Sequence, residues 1–247
     1  MAKLRVFFDG AGSGHGNMAR DQELLETHVP GDDPILRIYW WQPAAVTIGY
    51  NQNFSDFDAD TIAAKGYEMV RRPTGGRAIL HADELTYAVV GTSPSTLFGD
   101  SLHSTYMKIN EALMLFLHSL GIAADISDGE SRADSRGLVC FRSAGKHEIS
   151  VGGRKIVGSA QRRTNGVFLQ HGSILAGPGH LELPRLLGTE GAEASDAKQL
   201  AAATTDLTQV LGVVQTPEIL ASQALLLADS FAEALPLKLD VVTSHLP

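Results

Sequence analysis

Residues 71–81, RRPTGGRAILH, place three arginines, a histidine and a Pro-Thr-Gly-Gly turn within eleven positions. Pro73-Thr74-Gly75-Gly76 is turn chemistry: proline presets a backbone angle, and glycine adopts conformations closed to other residues. Glycines also let a ligand come close to the main chain. Arg71, Arg72 and Arg77 could hold a phosphate, a carboxylate or an acidic partner, because a guanidinium presents a planar fork of donors. His81 adds a titratable group. The plainer reading of the same stretch is a solvated hairpin with charged flanks.

Cys140 is the one thiol in the chain. A lone cysteine is commonly an inert, buried small residue. Here it follows a polar stretch, and Lys146, Arg154 and Lys155 come soon after it. A nearby ammonium favours the thiolate, which is the reactive form. Lys155, in VGGRKIVGSAQRR, is either an exposed strand lysine or an inward one that polarises a carbonyl and activates the thiol. The choice depends on pairing through space, which spacing does not reveal. His171, in LQHGSIL, reads first as a satisfied core histidine and second as a ligand contact.

Several other chemistries find no support. GAGSGHG at 10–16 fails the dinucleotide fingerprint, since His15 and Asn17 stand where the spacing would have to be completed; it reads as a flexible loop. A phosphate-binding P-loop, a paired-histidine zinc motif and a serine nucleophile elbow are all missing. One cysteine excludes an internal disulfide framework and a multi-cysteine zinc site, so no metal site is expected. With 44% hydrophobic and 19% charged residues, a packed core is expected rather than disorder. No apolar run reaches the roughly 20 residues of a membrane span, and MAKLRVFFDG is no signal peptide, so the expected location is the cytoplasm, off the membrane. The net charge of −8 speaks against a nucleic-acid binder, which needs a basic face.

The elements that must position these residues are legible in part. Asn17 to Thr27 predicts a short helix with Asn17 as its cap. Leu36–Trp41 and Val46–Tyr50 predict two strands joined by a hairpin-like break at Gln42-Pro43. Asp60–Lys65 predicts a short helix closed by Gly66, and Met69–Arg72 and Leu85–Gly91 predict strands. Ser104–Leu120 carries apolar residues at helical spacing, with Gly121 as its stop. Residues 123–137 read as a polar loop. Glu148–Val151 and Arg154–Ser159 predict a hairpin across Gly152-Gly153, and Val167–Leu175 another strand. Residues 191–203 are rich in alanine and polar residues. Thr216-Pro217-Glu218 opens an amphipathic helix to about Ala234. The expected class is α+β, a mixed β-sheet with surrounding helices, as one domain over residues 1–247.

Four blocks taken together resemble the lipoate–protein ligase and octanoyltransferase family, which shares its catalytic fold with biotin protein ligases and class II synthetases. They are NMARDQELL (17–25), LRIYWWQPAAVTIGYNQ (36–52), VRRPTGGRAILHADELTYAVV (70–90) and GRKIVGSAQRRTNGVFLQHGSIL (153–175). The resemblance implies an elongated acyl tunnel. Gly75 and Gly76 would line it, with Arg72, Arg77 and His81 around the carboxyl end of the acyl group. Lys155 would stand at the reacting carbonyl. Gly158, Ser159 and Ala160, with His171 and Gly172 on the facing strand, would complete the substrate contacts.

Two chemistries divide that family. Ligases activate free lipoate with ATP and Mg as an acyl-adenylate. Transferases carry the acyl group on a cysteine. VCFRSAGKHEISVGGRK is similar to the cysteine-bearing, LipM-type octanoyltransferases, in which the nucleophile precedes the motif lysine by the interval between Cys140 and Lys155. On that resemblance, the donor is octanoyl-acyl carrier protein. The acceptor is a lysine of a lipoyl domain or of the glycine cleavage H protein, and no cofactor is expected. The ligase reading, with ATP and Mg, is the alternative. Acidic acceptors would dock on a local basic patch of Arg71, Arg162 and Arg163, since the chain as a whole is acidic.

Overall fold

The computed structural model describes residues 2–126, 148–187 and 193–242. Strand β1 (Lys3–Gly12) leads into helix α1 (Gly14–Thr27), then β2 (Ile35–Trp41) and β3 (Ala45–Ile48). Helix α2 (Ala59–Ala64), β4 (Glu68–Arg71), β5 (Ile79–His81), β6 (Glu84–Thr92) and helix α3 (Leu102–Ser119) follow. After β7 (Asp125–Ile126) come β8 (Ile149–Val151), β9 (Arg154–Thr164) and β10 (Val167–Leu175). A 3-10 segment at Pro178–Leu186 precedes helices α4 (Glu193–Ala203), α5 (Leu207–Leu211) and α6 (Pro217–Ala234), and β11 (Lys238–Val241) is last.

The strands form two sheets. The larger has the order β11-β1-β2-β6-β10-β9-β8-β7, and the smaller β4-β3-β5. β1 runs parallel to β2 and β11, while β2, β6, β10, β9, β8 and β7 pair antiparallel in turn. The sheet is therefore mixed, and helices cover it. One face buries Leu36, Ile38, Tyr87 and Val89 against Leu113 and Phe116 of α3 and Leu227 and Phe231 of α6. On the other face, Met18, Leu24 and Leu25 of α1 pack on Tyr39, Trp41, Ala88 and Leu169. The small sheet makes its own core with Ile62 of α2, Leu183 and Leu186 of the 3-10 segment, and Leu200 of α4. Among the described residues, no helix is long and apolar enough to cross a membrane.

Local signals place several elements well. Gly152 and Gly153 have φ of +56° and +75°, the two positive angles that a tight two-residue hairpin turn requires. Thr216 caps α6 by accepting from Ile219 N, with Pro217 at the first helical position.

Three expectations fail, each through a long-range pairing. Residues 10–16 are not a flexible loop. Gly10, Ala11 and Gly12 end β1, in register with Tyr39, Trp40 and Trp41 of β2, and the glycines beyond begin α1. Asn17 is not the cap of that helix. Ser13 caps it, accepting from Gly16 N at 3.0 Å, while Asn17 is buried and donates to the carbonyls of Gly12 and Trp40. β2 and β3 are not a hairpin pair either. After Gln42-Pro43, a cis peptide, the chain leaves the large sheet and β3 becomes the centre of the small one. The polar stretch 123–137 includes β7, and its residues 127–137 lie outside the described residues.

Candidate active site

Strand register assembles one wall of the site. Across β2, β6, β10 and β9, one row reads Tyr39, Thr86, Ser173, Gly158, and the next reads Arg37, Ala88, His171, Ala160. Trp41 extends the wall along β2. Met18 of α1 and the segment from Arg72 to His81 cover it. A largely apolar cavity runs between them, lined from the sheet by Tyr39, Trp41, Thr86, Lys155, Gly158, Ser159, Ala160, His171, Gly172 and Ser173. From the cover, Met18, Arg72, Gly76, Ile79 and His81 line it.

Lys155 reaches this wall through an irregularity in β9. Strand alternation would put Lys155 on the face opposite Gly158 and Ala160. In β8, however, the adjacent residues Ile149 and Ser150 pair with Val157 and Lys155, so Ile156 is an extra residue. Such a bulge re-aims the side chains beyond it. Ile156 and Val157 both enter the core under α3, and Lys155 comes into phase with Gly158. Its side chain is 3% exposed and ion-paired with Glu148, which is 12% exposed.

Two histidines of the lining are paired with carboxylates. His171 donates from Nδ1 to Asp21 Oδ2 at 2.9 Å, and Thr74 Oγ1 lies 2.6 Å from its Nε2. Burial pushes the His171 imidazole below its ordinary range, with Asp21 opposing only in part. His171 is thus neutral near pH 7. Its proton sits on Nδ1, because a carboxylate can only accept, and Nε2 accepts from Thr74. Burial works to raise the Asp21 carboxyl, but His171 and the Arg37 guanidinium outweigh it and hold the group below the usual range. Tyr39 donates to Asp21 Oδ2 at 2.8 Å, and burial, reinforced by that carboxylate, drives its phenol well above the ordinary value.

The second pair is His81 Nδ1 with Glu84 Oε1 at 2.8 Å. The same Glu84 oxygen accepts from Thr86, Ser173 and Trp41 Nε1 at 2.6, 2.8 and 3.1 Å. Burial favours the neutral acid, but His81 and these hydroxyls keep the Glu84 carboxyl below its usual range. Trp41 stacks on His81 with ring centroids 4.0 Å apart. Tryptophan, histidine and carboxylate together form a rigid end to the cavity.

Arg71 and Arg72 of the RRPTGGRAILH segment bond to the chain itself. Arg72 is buried and donates to the carbonyls of Gly75, Arg77 and Thr47. Arg71 donates to the carbonyls of Gly49, Tyr50 and Gln52. These bonds lock the glycine turn against the end of β3. The packing there is tight: a Cβ on Gly49 would stand 1.8 Å from the Gly76 carbonyl oxygen. Gly49→Ala is therefore expected to cost about 1–3 kcal/mol, as overpacking does. Urea titration of the variant against the parent measures it, and an unchanged midpoint would remove the contact from the account.

Of the residues singled out in the sequence, Arg72, Gly76, His81, Lys155, Gly158, Ser159, Ala160, His171 and Gly172 come together on the cavity. Gly75 and Arg77 stand beside it, offering their carbonyls to Arg72. Cys140 lies outside the described residues. The basic patch expected from Arg71, Arg162 and Arg163 divides. Arg162 donates to the Pro73 carbonyl and covers the Tyr50 ring. Arg163 points to the other face, where it binds Thr105 Oγ1 at 2.6 Å and the Ser101 carbonyl. Neighbours on a strand must diverge in this way. Sequence reasoning missed Met18, Tyr39, Trp41, Ile79, Thr86 and Ser173, and the buried ions Asp21, Arg37 and Glu84. Their signal was charge at inward positions: an arginine inside ILRIYWW and an aspartate on the apolar face of α1.

Comparison with known proteins accords with this geometry. A model of the lipoyl protein ligase A/B catalytic domain matches residues 13–228. The chain belongs to this family. Among relatives of this lipoyl ligase-family protein, an octanoyltransferase LipM from Symbiobacterium thermophilum is 44% identical over 178 residues, covering 69% of this chain and 64% of that one. A second, from Kyrpidia tusciae, is 42% identical over 182 residues, covering 71% and 66%. The chain thus spans about two thirds of the length of these relatives. Among solved structures, a crystal structure of lipoate-protein ligase A bound with ATP superposes with a TM-score of 0.77 at 26% identity, covering 99% of this chain and 90% of that one. The mixed sheet and its helical cover are therefore the catalytic fold of lipoate–protein ligases.

Proposed function

We propose that this protein is an octanoyltransferase of lipoate biosynthesis, acting in the cytoplasm. It takes an octanoyl group from octanoyl-acyl carrier protein onto Cys140 and passes it to a lysine of a lipoyl domain or of the glycine cleavage H protein. The observation that carries this reading is Lys155: an ammonium drawn by a strand bulge into a narrow apolar cavity, fifteen residues after the cysteine. Relatives named octanoyltransferase at 42–44% identity support it.

The chemistry balances without a nucleotide. The Cys140 thiolate attacks the donor thioester, and the carrier's thiolate leaves and takes up the thiol proton. Thioester exchange is close to neutral in free energy. The acceptor amine then attacks the Cys140 thioester, the acyl C–S bond breaks, and the proton lost by the amine goes to the departing Cys140 thiolate; the stable amide makes this second step downhill. Each attack places negative charge on the carbonyl oxygen, and a preoriented cation in a dry site stabilises such charge strongly. The apolar lining takes the acyl chain.

Intact-mass measurement with octanoyl carrier protein and no ATP tests the reading. The expected result is a gain of one octanoyl mass, lost in Cys140→Ser. If acyl transfer instead requires ATP and free lipoate, and Cys140→Ser stays active, the protein is a ligase of the kind whose ATP complex shares its fold.

A further inference from the structure

Among the described residues, Glu148 is a carboxylate that meets Lys155. It stands immediately before β8, the strand paired with β9 at Lys155. The lysine main chain is held on both sides. Ser150 pairs with it across β8, and on the other side Thr205 N donates to the Lys155 carbonyl at 2.9 Å, where Thr204 forms a bridge. Thr204 is fixed in turn by His180 Nε2 at 2.8 Å. The backbone of Lys155 is therefore set by the fold. The direction of its long side chain is a separate matter, because four rotatable bonds carry the ammonium into a cavity whose other walls are mostly apolar.

Resting on the transferase reading above, we propose that Glu148 is the positioning residue for Lys155. Its carboxylate aims the ammonium along the cavity wall and keeps it in place between turnovers. As the carbonyl oxygen gains charge, the ammonium is already there and little reorganisation is needed. A carboxylate suits this task, since a charge-assisted bond orients an ammonium more firmly than a neutral amide does. Its own 12% exposure leaves it partly solvated, which lessens its hold on the charge that the reaction needs.

The test uses Glu148→Gln, Glu148→Asp, and Glu148→Gln combined with Lys155→Ala. Glu148→Gln is expected to lower kcat about 10- to 100-fold, from the value of a hydrogen bond to a charged group. KM for octanoyl carrier protein should stay within a factor of two or so, and Glu148→Asp should recover part of the rate. In the Lys155→Ala background, Glu148→Gln should slow the enzyme no further, since its effect passes through Lys155. A reading without turnover accompanies these: competitive acetylation of Lys155, measured by peptide mass against the exposed Lys3 and Lys65, should rise several-fold in Glu148→Gln. Equal labelling of Lys155 in parent and variant overturns the proposal, as does an additive loss in the double variant. If the parent protein takes up no octanoyl group, the transferase reading falls, and the labelling still decides whether Glu148 holds Lys155.

Discussion

Under the proposed transferase chemistry, Lys155→Ala is expected to slow acyl transfer about 100- to 1000-fold, the usual effect of removing a preoriented oxyanion donor. The side chain is almost wholly buried, lines the cavity and is placed there by a bulge rather than by regular strand geometry. Truncation removes the charge and with it the ion pair to Glu148. Lys155→Met keeps most of the volume and separates loss of charge from loss of packing. Both variants should still bind octanoyl carrier protein, because the apolar wall of the cavity is untouched. Single-turnover kinetics, following octanoyl appearance on Cys140 and then on the acceptor lysine, distinguish the two attacks. Both should slow, as each develops charge on the same oxygen. Turnover within a few-fold of the parent would take Lys155 out of the chemistry.

The second large effect concerns stability. Arg37→Ala should cost about 3–5 kcal/mol, the range for breaking a buried ion pair by removing one partner. Arg37 is 3% exposed and holds Asp9 at 2.5 Å and Asp21 at 2.7 Å, while its other donors reach Asn17. Burial opposes its charge, but Asp21, Tyr39 and Asp9 outweigh that and raise its affinity for the proton. Removal would take the guanidinium from two acids, one of them fully buried and left with the neutral donors Tyr39 and His171. For a chain of this size the melting temperature should fall by about 10 °C. Arg20→Ala is the control: its pair with Glu23 is a surface contact one helical turn away, and its loss should cost under about 0.5 kcal/mol. Equal melting temperatures for the two variants would refute the assignment.

The same network predicts how stability follows pH. Burial lowers the imidazoles of His171 and His180 in the native state. Below about pH 6.5 the unfolded chain binds protons that the native chain refuses, so stability falls as pH drops through that range. Asp21 and Glu84 are held low in the native state, so their contribution is complete above about pH 5 and is lost as pH falls through their native values. A decline between pH 7 and 5.5, steepening below 4, should appear in thermal melts. A flat profile down to pH 5 would contradict the neutral histidines.

The amino-acid sequence by itself determined the elements whose signals are local. Gly152-Gly153 demanded a tight hairpin, Thr216-Pro217 a helix start, and the apolar spacing after Ser104 a helix. The segments Arg72–His81 and Lys155–Gly172 were legible as parts of one site through their resemblance to the ligase and transferase family, since residue types alone left a solvated hairpin and an exposed strand lysine open. Only the tertiary structure decided what those residues touch. Ten residues at the start of the chain became a strand because β2 lay ready to pair with them. Arg72 lines the cavity and also clips the glycine turn. Lys155 faces the cavity because one extra residue, Ile156, shifts the alternation of β9. Charge compensation for Asp21 and Arg37 comes from positions distant in the chain. No local pattern encodes such partners, because burial cost and pairing energy arise only when separate strands and helices close around the same space.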